Sequence, residues 1–184
     1  MVIKRVTDKE EISGIKALQT SNLKSNLTEA EMMQEGFLTA SYTLEFLTHM
    51  QSIEPAIIAK DGDAVVGYAL AVTKALYGHH DLLNDLFTQI DAHRYKGQLL
   101  ADVDYVVVGQ LCVAKTHRGR GLVQKLYGFF QTALSNKYPF LITDVDEKNP
   151  RSVKAHLKTG FEIIGTLHYG GSDWHIVLWD WAKG

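Results

Sequence analysis

Residues 106–130 read VVVGQLCVAKTHRGRGLVQKLYGFF. The opening run of β-branched and apolar side chains, broken only by Gly109 and Gln110, has the pattern of a strand buried on both faces. From Gly119 to Asn136 the apolar set Leu122, Leu126, Phe129 or Phe130, and Ala133 recurs at helical spacing, which predicts an amphipathic helix. Between strand and helix lie the polar residues Lys115 to His117, and the first helical turn contains Gly119 and Gly121. A turn of this kind suits an anion. The first N–H groups of a helix have no intrahelical acceptor, the macrodipole places partial positive charge there, and glycine lets a ligand oxygen approach the main chain. Arg118 and Arg120 are expected to add charge-assisted hydrogen bonds.

Outward from this unit the elements alternate. Val2 to Val6 reads as a short strand, and two overlapping capping boxes, Thr7 with Glu10 and Asp8 with Glu11, start a helix over roughly 8–20 whose apolar face is Ile12, Ile15 and Leu18. Thr28 with Glu31 predicts a second, shorter helix, and Thr43 caps a third carrying Leu44, Leu47 and Met50. Asp61-Gly62 between AIIAK and AVVGYALAV predicts a hairpin of two antiparallel strands. Leu82, Leu83, Leu86 and Ile90 predict a helical insertion over 79–91. Downstream come the strand PFLITDV, a short helix from Asn149 to Lys158 closed by Gly160, and a final hairpin of FEIIGTLHY and DWHIVLWDW around Gly170-Gly171-Ser172. The order is mixed α+β with one strand–helix–strand unit at its centre.

The chain has 184 residues, 46% hydrophobic and 22% charged, with no repeat and no Gly/Ser linker, so one domain over 1–184 is expected. Nineteen basic against 21 acidic residues leave none of the basic excess that accompanies nucleic-acid or anionic-membrane binding. Cys112 is the single cysteine, which excludes an intrachain disulfide and Cys-rich zinc motifs and fits a reducing compartment. MVIKRVTDKEE lacks the apolar core of a signal peptide, and no stretch nears 18 apolar residues; a cytoplasmic protein is expected.

Three phosphate-binding patterns compete for the loop. No Gly-x-x-x-x-Gly-Lys-Ser/Thr occurs in the chain. Gly119 and Gly121 begin a dinucleotide fingerprint whose third glycine is replaced by Gln124, although Asp144 stands where a ribose-binding acid would. The third pattern is Arg118-Gly119-Arg120-Gly121-Leu122-Val123, preceded by Leu111-Cys112-Val113, and here the chain resembles the GNAT N-acetyltransferases. Val123 departs from the Gly or Ala usual in that family. A second block, Asn149-Pro150-Arg151-Ser152 through His156 to Gly160-Phe161, resembles the family's other signature. The resemblance covers about the whole chain and is specific over 105–165.

The resemblance implies a GNAT-like fold: a central, mostly antiparallel mixed sheet flanked by helices, with a splayed parallel strand pair. It implies acetyl-CoA as co-substrate, its pyrophosphate on the main-chain amides of residues 118–123 and its pantetheine arm along Leu111, Cys112 and Val113 and bonded by Asn149, with Ser152 in the same block. His156 stands where a Tyr usually donates to the departing CoA thiolate. The acceptor pocket is expected around residues 26–42 and 169–173, with Phe37, Tyr42 and Tyr169 as aromatic walls and Glu35, Glu45 and Asp173 as amine partners. The expected activity is acetyl transfer to a primary amine of a small or amino-acid-like acceptor, the alternative being a non-catalytic acetyl-CoA sensor.

A protonated amine must lose its proton before attack, and Asp144, Asp146, Asp102 and Asp104 lie at strand ends near the two blocks; Asp144 is taken as the base. Cys112 sits mid-strand among apolar neighbours and reads as an inert thiol. Adjacent His79 and His80 do not share a helix face, so no metal site is expected. Trp174, Trp179 and Trp181 read as core packing, and the apolar final strand is a candidate edge for a homodimer.

Overall fold

The structure, a computed structural model, describes residues 1–35, 37–169 and 171–183, without the side chains of Met33, Gln34, Glu35, Tyr169 and Lys183. In chain order the elements are β1 (Val2–Arg5), α1 (Lys9–Ser21), α2 (Glu29–Glu35), α3 (Leu44–Ile53), β2 (Ile57–Asp61), β3 (Ala64–Val72) and α4 (Asp81–Asp91). There follow β4 (Arg94–Tyr95), β5 (Gln98–Leu99), β6 (Tyr105–Val113), α5 (Leu122–Leu134), β7 (Phe140–Asp146), α6 (Pro150–Thr159), β8 (Glu162–Tyr169) and β9 (Ser172–Asp180). They form two compact units, and β6 contributes to both.

The first unit is Met1–Ala71 with Gln110–Thr132. Its sheet is a meander in which β1 pairs antiparallel with β2 (Val2↔Lys60) and β2 with β3 (Ile57↔Ala69). The β2–β3 turn is one residue later than the sequence suggests: Asp61 pairs with Ala64, so Gly62 (φ 58°) and Asp63 are the turn residues. Helix α1 begins on Asp8, whose carboxylate accepts from Glu11 N at 2.8 Å. Of the two overlapping boxes the second therefore caps, and the Glu11 side chain turns back to the Thr7 N–H and to Lys4 and Lys60. Together these donors hold its carboxyl at about 2, against the opposing effect of burial. Ile15, Leu47, Met50, Ile57, Ile58, Leu126 and Phe130 are fully buried in this unit. Gly67 lets α5 lie close to β3, since a Cβ there would stand 3.3–3.4 Å from Leu126, Leu122 and the Cys112 carbonyl.

The second unit is Val72–Gly109 with Ala133–Gly184. Here β6 pairs parallel with β7, β7 antiparallel with β9, and β9 antiparallel with β8. The parallel register runs from Tyr105↔Phe140 to Val107↔Ile142 and stops. The Thr143 hydroxyl then donates to the Val108 carbonyl at 2.7 Å, so a side chain takes over where the ladder ends. Strand β9 lies between β7 and β8, which corrects the expectation that the apolar final strand is a free edge for a dimer. Helix α4 is anchored by Asp91, which accepts from the Tyr105 hydroxyl at 2.8 Å and pairs with Lys74 at 3.0 Å. Lys96 and Gly97 make the two-residue turn of the β4–β5 hairpin, both with positive φ, a small element absent from the sequence reading. Gly160 closes α6 as expected, with φ 118° and the Trp179 Nε1 atom 2.9 Å from where a Cβ would be.

Candidate active site

In the first unit the site is built where β6 ends. Ala114 N donates to Val66 O at 2.8 Å, fixing the strand end to β3, and the chain then makes a single tight turn in which His117 N returns to Ala114 O at 2.8 Å. Gly119 and Gly121 take φ 75° and 72°, a left-handed region that any other residue enters at a cost. Lys125 N donates to Gly121 O at 3.1 Å, so the helix starts at Leu122 and both glycines precede it. The N–H groups of Gly119, Arg120, Gly121, Leu122 and Val123 find no acceptor among the described residues. Nothing stands within 4 Å of a Cβ placed at Gly119, and at Gly121 only Gln124 Oε1 does, at 4.0 Å. The result is an open row of main-chain donors at the positive end of α5. Leu122 contributes only its backbone, its side chain being in the core, while Arg120 is exposed.

Arg118 behaves differently from the expectation. Its Nε donates to Val113 O at 2.9 Å and its Nη2 to Asn22 Oδ1 at 2.6 Å, so the guanidinium is turned inward to hold the loop. Two of its fork donors thus support the loop from within the protein. Lys115 pairs with Glu31 at 2.6 Å, and Glu31 closes the predicted capping box on Thr28, whose N–H it accepts at 2.9 Å. Lys115 and then Thr28 hold the Glu31 carboxyl at about 2.

Cys112 is buried, and desolvation pushes its thiol up to about 12 against the opposing Arg118 charge. The inert reading stands on physical grounds, and it predicts slow alkylation. Iodoacetamide at pH 8 should modify Cys112 at least about 10²-fold more slowly in native protein than in urea, because thiolate is the reactive form; equal rates would contradict the burial.

The acceptor-side residues divide. Phe37 is partly buried beneath the Lys24 ammonium, 5.2 Å from the ring centroid. Tyr42 is 1% exposed and packs on Phe46, so its assignment as an acceptor wall is corrected to a core role. Glu45 is exposed, as is Asp173, which bonds His168 at 2.7 Å. The side chains of Glu35 and Tyr169 lie outside the described residues.

In the second unit β7 carries Asp144 opposite Ile176 of β9. Burial, reinforced by the Asp146 charge, raises the Asp144 carboxyl to about 6. Asp146 is itself buried, accepting from Lys148 N at 2.9 Å, whereas Asp102 and Asp104 are exposed. Asp144 is thus a carboxylate poised near neutrality. Asn149 caps α6 by accepting from Ser152 N at 3.2 Å, leaving its amide NH2 to donate elsewhere. His156 is buried, stacked edge-on against Phe161 at 5.1 Å. Its Nδ1 lies 2.8 Å from the Ser152 carbonyl, which can only accept, so Nδ1 carries the proton. Burial lowers its pKa to about 4, so the ring is neutral and its Nε2 is not protonated near pH 7. To give a proton to a thiolate through Nε2, the ring must first gain one that its burial disfavours.

Asn22, which joins Arg118 to α1, has no local motif and was invisible in the sequence. Among the described residues no group of three or more His, Cys, Asp or Glu side chains is arranged to hold a metal ion, and no helix is long and apolar enough to cross a membrane.

Comparison with known proteins adds a family and a set of similar folds. The sequence model described as "Acetyltransferase (GNAT) family" matches residues 25–161. A GNAT-family acetyltransferase from Streptococcus agalactiae is 16% identical, with 97% of this chain and 94% of that one covered at a TM-score of 0.67. The protein yncA from Salmonella typhimurium, solved with its cofactor acetyl-CoA, is 16% identical over 98% and 94% of the two chains, with a TM-score of 0.63. Naa20 from Chaetomium thermophilum, solved with a bisubstrate analogue, is 13% identical over 98% and 86%, with a TM-score of 0.68. No curated protein matches the chain by sequence.

Proposed function

Because this chain belongs to the GNAT acetyltransferase family, we propose that it transfers the acetyl group of acetyl-CoA to the primary amine of a small, amino-acid-like acceptor. The observation that carries the cofactor assignment is the open row of unaccepted N–H groups from Gly119 to Val123 at the head of α5. In this reading those amides and Arg120 take the pyrophosphate, the main chain of Leu111, Cys112 and Val113 takes the pantetheine arm, and the Asn149 amide donates to a pantetheine carbonyl. Ser152 supports that assignment by completing the Asn149 cap. A main-chain amide near Val113 polarises the thioester carbonyl.

Asp144 is the base. Asp144 first takes one proton from the substrate ammonium and passes it to solvent; the free amine then attacks the thioester carbon, a C–N bond forms, and the nitrogen's second proton goes to the Asp144 carboxylate. As the C–S bond breaks, the leaving thiolate, whose conjugate acid has a pKa of ~8.5, takes up a proton. A carboxyl at about 6 is acid enough to return it, so one residue serves both transfers. His156 stays neutral on the Asn149 helix and packs against Phe161.

The same value favours one class of acceptor. Deprotonating an alkyl ammonium of pKa ~10.4 by such a base is uphill by roughly 6 kcal/mol, against roughly 2–3 kcal/mol for an α-amino group of pKa ~8. We therefore assign an α-amino acceptor. The test is CoA release, followed by a thiol reagent, against α-amino acids, short peptides and simple alkyl amines, beside titrations with acetyl-CoA, NAD and ATP. Acetyl-CoA binding with CoA release on α-amino compounds is the expected result. Binding without release on any amine would make the protein a sensor, and NAD or ATP binding without acetyl-CoA binding would end the proposal.

A further inference from the structure

Both glycines of the loop are conformationally loose, and no described atom packs closely over either, so the direction of its amides has to be set from beneath. Beneath it lies Arg118, and beneath Arg118 lies Asn22. Asn22 is 3% exposed and closes α1 with its backbone N–H on Gln19 O at 3.0 Å. Its side-chain Nδ2 donates to Leu18 O at 2.8 Å and to Ser21 Oγ at 3.1 Å, and its main-chain carbonyl accepts from Leu38 N at 2.9 Å. With Nδ2 so engaged, the amide can present only Oδ1 to the Arg118 guanidinium, and it does so at 2.6 Å.

We infer that Asn22 is a positioning residue for acetyl-CoA binding: its Oδ1 holds the Arg118 fork on the Val113 carbonyl, and the fork holds the Gly119–Gly121 amides in the direction that receives the pyrophosphate. The guanidinium is planar and its donors are fixed relative to one another, so bonds from Nε and Nη2 to two rigid acceptors define its plane. Loss of Asn22 Oδ1 removes the acceptor that fixes the Nη2 end of the fork. Asn22 never touches the cofactor in this scheme, and its effect belongs to affinity rather than to chemistry. The inference rests on the acetyl-CoA reading above.

Two substitutions separate the two jobs of the side chain. Asn22→Ser keeps a short hydroxyl able to bond the Leu18 carbonyl but too short to reach Arg118. Asn22→Asp keeps an oxygen for Arg118 and loses the donor to Leu18. Acetyl-CoA titration of the wild type comes first, and failure to bind there counts against the acetyl-CoA reading alone. Given binding, Asn22→Ser should raise Kd and KM for acetyl-CoA about 10- to 100-fold, the scale of a lost hydrogen bond to a charged group, with kcat at saturation within about threefold. Asn22→Asp should stay within about threefold of wild type in Kd while its Tm falls. In an Arg118→Ala background Asn22→Ser should weaken binding no further than about twofold, since the residue acts through Arg118. Wild-type affinity in Asn22→Ser, or equal losses in both single variants, would overturn the inference.

Discussion

Asp144→Asn should lower kcat by about 10²- to 10⁴-fold, the usual contribution of a general base, and should make the protein more stable at pH 8. Both effects follow from one carboxyl. Burial beside Asp146 raises Asp144 from its ordinary 3.8 to about 6, so the folded state holds the proton more tightly than the unfolded chain. Its contribution to stability is therefore fully present below pH 4, falls as pH rises toward 6, and is lost above it. At pH 8 the ionised group costs about 3 kcal/mol, from roughly two pKa units at 1.36 kcal/mol each. The neutral amide escapes that cost, so urea unfolding should show the variant up to about 3 kcal/mol more stable at pH 8 and nearly equal to wild type at pH 3. In the wild type kcat/KM should rise as pH passes through about 6. A variant retaining turnover within threefold would remove Asp144 from the reaction, even if the stability effect were found.

Gly121→Val should weaken acetyl-CoA binding by more than about 100-fold, from a left-handed penalty of about 1–2 kcal/mol together with misdirected donors. The expectation does not depend on a clash, because the space over the loop is open and only Gln124 Oε1 lies at 4.0 Å. With φ at 72°, a β-branched side chain drives the residue out of its conformation, and the N–H groups on either side turn with it. Gly62 offers a matched comparison. It has φ 58° in the β2–β3 turn and equally open surroundings, so Gly62→Val carries a similar backbone cost without touching the loop. Calorimetric titration should find affinity lost in the first variant and kept in the second. Equal affinity in both would place acetyl-CoA elsewhere.

The strand, the loop and the following helix were legible because their chemistry is local. Apolar periodicity defines β6 and α5, and glycines mark the bend between them. The capping boxes were legible for the same reason, although Thr7 and Asp8 competed for the α1 cap and only the structure shows that Asp8 wins. The β4–β5 hairpin escaped because two residues per strand are too few for a period of two to show, and its turn uses Lys96 in a conformation that favours glycine. What sequence could not supply was the direction of side chains. Arg118 reads as an outward cation beside an anion site, yet it points to Asn22, 96 positions earlier. Tyr42 reads as an aromatic wall of an acceptor pocket, yet its backbone N–H is held by Gln19 at 3.1 Å and its ring is in the core. His156 reads as a donor until the Ser152 carbonyl fixes which nitrogen has the hydrogen.

Gly67 gives the loop a further property. Leu122 and Leu126 of α5 rest where its side chain would be, so the missing methyl acts as a gauge for the height of the helix above β3. A Cβ at 3.3–3.4 Å from those leucines and from the Cys112 carbonyl is tight enough to require a yield of a few tenths of an ångström. Leu122 is also the first residue of the helix, so the contact with Gly67 lies directly beside the row of donors. In the proposed acetyl-CoA site, the reach of those amides would be set from inside the sheet, at a residue that carries no functional group.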